Sequence, residues 1–157
     1  MVFEQFSKKE QKVIKFLRQI AKDNVPIVGT KQTARLSAAI VVKGDIISLG
    51  FNQMKTHPLA ARFSKHDEAV YQHAEINAIV NAFSQDYKVD LSNATLFVQR
   101  VKRISRATKD MQDGMAKPCK GCMAAIEAFG FKRVVYSTDE DGHYEQMIRS
   151  ADYAVEV

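Results

Sequence analysis

Hydrophobic and polar positions alternate along this chain with periods that change every ten to fifteen residues. After Ser7-Lys8-Lys9-Glu10, a capping-box pattern, the residues Val13, Ile14, Phe16, Leu17 and Ile20 recur at helical spacing, which predicts a helix from Ser7 to about Lys22. Pro26 and Gly29 punctuate the stretch that follows. Leu36 to Val42 is a strand-like apolar run, Lys43-Gly44-Asp45 supplies a turn, and Ile46 to Phe51 returns as the second arm of a hairpin. From Gln53 to Gln72 the pattern is polar and irregular, long for a structureless connection, so a functional role or a short helix is expected there.

The helical period returns at His73 to about Phe83, where Ala74, Ile76, Ala78, Ile79 and Ala82 form an apolar stripe. Thr95 to Val101 reads as a third strand, and Lys102 to Lys117 as a basic connection. Pro118 opens a helix to about Ala128, with Gly130 just past its end. Arg133 to Ser137 is a fourth strand, Tyr144 to Ala151 a final helix, and Tyr153 to Val157 a fifth strand. The order α-β-β-α-β-α-β-α-β implies an α/β fold, a mixed sheet of about five strands flanked by helices. No internal repeat, low-complexity segment or linker divides residues 1–157, so one domain is expected.

Composition narrows the class. Of 157 residues, 46% are hydrophobic and 26% charged, ordinary for a globular protein with a core of its own. No apolar run has the length of a membrane span and the N-terminus lacks a signal-peptide pattern, so a cytoplasmic location without membrane association is expected. The formal net charge of +5 suits an anionic partner, a nucleotide phosphate or a nucleic acid, but equally a solvated basic surface.

The chain's two cysteines, Cys119 and Cys122, form a C-x-x-C pair at a predicted helix start. Three residues apart, they share a face, and a helix N-terminus favours the thiolate that binds metal. His73 begins another predicted helix. If the two helices lie side by side on the sheet, one imidazole and two thiolates converge, and the fourth tetrahedral position stays open for water, as a catalytic zinc site requires. Two thiolates also balance the charge of Zn2+, which eases its burial. Glu75, two residues on, is free to move protons as a general acid–base. Taken alone, His-x-Glu is usually a helix surface, and C-x-x-C also fits a redox pair or half of a structural zinc cage. The conjunction of the two at successive helix starts, with a strand between, is what points to hydrolytic chemistry.

At these residues, His73-Ala74-Glu75 with Pro118-Cys119-Lys120-Gly121-Cys122, the chain resembles the zinc-dependent cytidine and deoxycytidylate deaminase superfamily. The similarity covers Leu36 to Ser137, and His73-Ala74-Glu75-Ile76-Asn77-Ala78-Ile79 looks most like the deoxycytidylate version. The resemblance implies a three-layer cytidine deaminase-like fold and a Zn2+ cofactor. It also implies deamination of a cytosine nucleotide (dCMP-like) with loss of ammonia, and frequent assembly into homo-oligomers. It makes Glu75 the catalytic residue and His73, Cys119 and Cys122 the metal ligands. Gly50-Phe51-Asn52 resembles the family's Gly-Tyr-Asn, so Asn52 is expected to contact the nucleotide, with Ala74 and Pro118 beside it.

Lys55 and Arg62 precede the metal helix and are candidates for the phosphate. His57 and His66 read as surface residues. Tyr71 and Tyr136 are placed to stack on a base or simply to pack. Two features depart from the family: the basic insertion from Lys102 to Lys117, expected to border the pocket, and Gln53 where glycine is usual. The insertion motivates an alternative, a polynucleotide base deaminase acting on tRNA or single strands. A non-catalytic zinc-stabilised binding module is the third reading, against which Glu75 argues.

Overall fold

The computed structural model describes residues 1–23, 35–52, 73–104 and 110–149. Helix α1 spans Lys8–Asp23. It begins where the Ser7 hydroxyl accepts the Glu10 amide at 3.2 Å, as the capping pattern requires. The hairpin follows as β1 (Arg35–Val42) and β2 (Asp45–Phe51). Lys43 and Gly44 join them with φ of 53° and 82°, the paired positive angles of a type I′ turn, whose twist matches that of the strands. A bulge near Ile40 and Val41 shifts the register of this hairpin.

Helix α2 runs Ala74–Gln85, β3 Thr95–Arg103, and α3 Lys120–Phe129. Gly130 closes α3 in the left-handed conformation at φ 71°, its amide donating to Ile126 and Glu127. Strand β5 spans Arg133–Ser137. Each of these elements lies within two residues of its sequence expectation, except that Pro118 and Cys119 precede the first turn of α3 and do not belong to it.

Two expectations are corrected. The stretch Lys102–Lys117 is not a plain connection: β3 continues through Arg103, and Met111–Gly114 forms β4, which returns antiparallel with Arg100 opposite Gly114. Tyr144 onward is not a helix: Tyr144–Ile148 is strand β6, antiparallel to β5 with Ser137 opposite Tyr144. The proposed strand Tyr153–Val157 lies outside the described residues, as does the segment 53–72.

Among the described residues the sheet has six strands in the order β2-β1-β3-β5-β6, with β4 paired to the far end of β3. β3 and β5 are parallel and the other pairs antiparallel, so the sheet is mixed. Strand alternation divides the core into two layers. Ala38, Ile40, Leu96, Val98, Val134 and Tyr136 face α2 and α3. Ala39, Val41, Phe97 and Val135 face α1, where they meet Val13, Ile14 and Leu17. This is the three-layer α/β arrangement expected from the sequence.

The β3–α3–β5 unit positions the site. A right-handed crossover between parallel strands places the helix N-terminus above the carboxyl end of the sheet. Ser137, fully buried, seals the point where β4 takes over from β5. Its hydroxyl donates to Gly114 O at 2.7 Å and accepts the Arg100 amide at 3.0 Å.

A His-Cys-Cys metal centre at two helix starts

His73 and Cys119 occupy the same structural position. Each is the N-cap of its helix, with extended backbone at φ −69°, and neither side chain caps the helix. Ser, Thr, Asp or Asn in such a place would stabilise the helix by about 1 kcal/mol. The two caps instead aim an imidazole and a sulfur away from their own helices. The backbone carbonyls still open the helices, accepting Asn77 N at 2.9 Å and Met123 N at 2.8 Å.

The side chains meet. His73 Nδ1 lies 3.4 Å from Cys119 Sγ and 3.3 Å from Cys122 Sγ, and the three ligand atoms fall within 4.8 Å of one another. Zinc bonds of roughly 2.0 Å to nitrogen and 2.3 Å to sulfur give a tetrahedral N···S edge of about 3.5 Å. The donor set and its spacing therefore fit a single zinc ion, to which the described residues would supply three ligands. Among the described residues three side chains, not four, converge here, which is the pattern of a catalytic zinc.

The thiols carry the matching electrostatics. Cys119 is pulled down to about 3, foremost because the Cys122 thiol hydrogen-bonds to it, with His73 adding in the same direction. Cys122, buried at 3% exposure, is pushed well up, first by that same sharing with Cys119, then by burial and by the nearby Glu75 carboxyl. The pair thus holds one proton between two sulfurs. Metal binding at such a pair releases protons, and affinity falls as pH drops.

Glu75 sits in the first turn of α2 and is 4% exposed. Burial raises its pKa above the usual 4.5, opposed mainly by the His73 ring. None of the ion pairs among the described residues involves it. Burying a carboxyl group is costly even with the His73 ring, its own backbone amide and Cys122 beside it, so its place among the metal ligands is a functional signal.

The other expected site residues fall in three groups. Ala74 and Pro118 are buried next to their respective ligands. Asn52 closes β2, and its Oδ1 accepts the Leu36 amide at 3.2 Å, tying the two ends of the hairpin together. Tyr136 is buried in the layer under α2 and α3, and its hydroxyl donates to Glu145 Oε2 at 2.6 Å. Lys55, His57, Arg62, His66 and Tyr71 lie outside the described residues. Within the 102–117 insertion, Lys102 is engaged with Asp139 at 2.7 Å.

Sequence reasoning missed a buried polar cluster on the α1 side. Asp113, with no exposed surface, accepts from Gln99 Nε2 at 3.1 Å and Gly142 N at 2.9 Å, and lies 3.1 Å from Arg18 Nε. Tyr144 donates to Gln99 Oε1 at 2.8 Å. The one available signal was the polar Gln99 and Asp113 flanked by residues of the strand core.

Fold and site together define an α/β protein with a three-ligand zinc centre built on two helix N-termini. The chain belongs to the family described as the cytidine and deoxycytidylate deaminase zinc-binding region, which it matches over residues 7–138.

Solved structures share the fold. A dCMP deaminase from the cyanophage S-TIM5, in apo form, is 18% identical with a TM-score of 0.53, over 87% of this chain and 89% of that one. A guanine deaminase from Bacillus subtilis is 22% identical with a TM-score of 0.51, over 82% of this chain and 63% of that one. None of the curated proteins matches the chain in sequence. Among the described residues, no helix is long and apolar enough to cross a membrane.

Proposed function

We propose that this protein is a hydrolytic deaminase of a free cytosine nucleotide, dCMP-like, converting the amino base to the oxo base with release of ammonia. The observation that carries the reading is the burial of Glu75 against His73, Cys119 and Cys122. A structural zinc site has no use for a buried carboxyl group beside its ligands. The choice of a cytosine nucleotide is supported by the segment His73 to Ile79 and its likeness to the deoxycytidylate version.

In this reading His73, Cys119 and Cys122 hold Zn2+. Zinc held there is a Lewis acid that makes water nucleophilic near neutral pH. Glu75 accepts the proton given up by the attacking water and delivers it to the ring nitrogen beside the reacting carbon. It then helps protonate the departing amine. Its raised pKa suits both directions of transfer, because a carboxyl nearer neutrality gives and takes a proton at comparable cost. Ala74 and Pro118 exclude water beside the ligands. Asn52, at the end of β2, and Lys55 beyond it contact the nucleotide, and Tyr136 supports the pocket from beneath.

A panel of free cytosine, adenine and guanine nucleosides and nucleotides, with single-stranded oligonucleotides and tRNA, tests the assignment through ammonia release. Turnover confined to a cytosine nucleotide supports it. Turnover of a polynucleotide or of a purine alone would replace the substrate, and no turnover by zinc-loaded protein would reject the reaction.

A further inference from the structure

Helix α2 is joined to β2 by a seam that is far closer than apolar packing alone allows. A Cβ built on Gly50 would fall within 3 Å of the Ala74 carbonyl oxygen and of the Ala78 backbone, so only glycine lets the two backbones approach. Three polar side chains run along this contact. Ser48 Oγ donates to Ala78 O at 2.6 Å, Asn81 Nδ2 donates to Leu49 O at 2.8 Å, and Asn77 Oδ1 accepts the Phe51 amide at 2.9 Å. Asn77 and Asn81 are one turn apart on one face of the helix, and Asn81 Nδ2 also reaches Asn77 Oδ1 at 3.4 Å.

The three bonds are not equivalent. Those of Ser48 and Asn81 lie toward the middle of the strand. That of Asn77 lies at its end, on the residue before Asn52, and it springs from the turn of α2 that follows His73 and Glu75. Asn77 is 5% exposed, so removing its oxygen takes a buried acceptor away from the half-buried Phe51 amide.

We infer that Asn77 is a positioning residue, fixing the end of β2, and with it Asn52, relative to the turn that carries His73 and Glu75. The kinetic side of this inference rests on the deaminase reading; the structural side does not. Loss of Asn77 leaves His73 and Glu75 on α2, and Cys119 and Cys122 at the start of α3, so the reacting groups keep their supports. What drifts is the wall contributed by β2. The expected signature is therefore weaker substrate capture with the chemical step preserved.

The test compares zinc-loaded wild type with Asn77→Ala, Asn77→Asp and Asn81→Ala. In Asn77→Ala the Phe51 amide should exchange with deuterium about tenfold faster, and KM should rise about tenfold while kcat stays within about twofold. Zinc content should be unchanged. Asn77→Asp keeps an acceptor for the Phe51 amide and should recover most of the KM. Asn81→Ala removes a bond of the same seam and should leave KM near wild type. Unchanged Phe51 exchange in Asn77→Ala would overturn the inference, as would an equal KM rise in Asn81→Ala or loss of zinc alongside. If wild type deaminates nothing, the functional reading fails, and Phe51 exchange with zinc content still decides the clamp.

Discussion

His73 Nδ1 lies 3.3 Å from Cys122 Sγ although 49 residues separate them in the chain. That meeting depends on β3 and β5 being parallel, since the crossover helix α3 must start at the sheet end where α2 also starts. Zinc binding is consequently coupled to the tertiary fold and not to a local loop. Substituting Cys119→Ser, Cys122→Ser or His73→Ala should each abolish stoichiometric zinc, and chelation of the wild type should lower its melting temperature. Metal analysis of each purified variant with a thermal scan checks this. Full zinc occupancy in Cys122→Ser would contradict it.

The pH dependence of zinc retention follows from the shared proton of the two thiols. Cys122 is held protonated by its sharing with Cys119 and by burial, so metal competes with that proton. Zinc affinity should fall as pH is lowered, losing metal before the protein loses its secondary structure. Competition with a chromophoric chelator from pH 8 to 5, with circular dichroism alongside, gives the two curves. Coincident midpoints would contradict the account.

Gly50 should tolerate no side chain. Gly50→Ala sets a methyl against the backbone of α2 and cannot be relieved by a rotamer change. A loss of about 3 kcal/mol is expected, at the upper end of ordinary overpacking. Urea unfolding of zinc-loaded protein measures it. A change within about 0.5 kcal/mol would show that the helix lifts off the strand at little cost, the size of an ordinary surface substitution.

Asp113 gives a stability prediction with a definite sign. Burial holds its carboxyl above the usual 3.8, against the Gly142 amide and Arg18, which pull it down. The folded state therefore binds the proton more tightly than the unfolded one. The stabilisation from protonation is fully present below 3.8 and is lost as pH rises through the raised folded value. Relative to Asp113→Asn, which does not titrate, wild type should lose stability as pH rises above about 4, the ordinary carboxyl range. Paired denaturant curves across that window test it, and the opposite slope would contradict it.

How much of this was legible in the sequence depends on the element. Helix α1 announced itself through Ser7 and its apolar stripe, and the first hairpin through Lys43-Gly44, because capping and turn chemistry are local. The metal residues were legible because the chemistry needs those side chains at helix starts.

Strand β6 was not. Tyr144, Met147 and Ile148 have helical spacing and lie among good helix formers. The strand forms because Tyr144 fills the α1 layer, where its hydroxyl reaches Gln99, while Met147 fills the α2–α3 layer on the opposite face. With one buried residue on each face and exposed Glu145 and Ile148 between and after them, the strand lacks the period of two that would reveal it. Strand β4, Met111–Gly114, carries almost no apolar pattern, and its pairing with β3 is supported by the buried Asp113 contacts, which involve residues distant in the chain.

The central claim is that Glu75 moves protons beside a zinc ion held by His73, Cys119 and Cys122. The most direct test is ammonia release from dCMP by zinc-loaded Glu75→Gln against zinc-loaded wild type. The side chains are nearly the same size, so fold and metal should persist while the rate drops about a thousandfold, within the usual range for a general acid–base. Equal rates in the two proteins at equal zinc content would contradict the account.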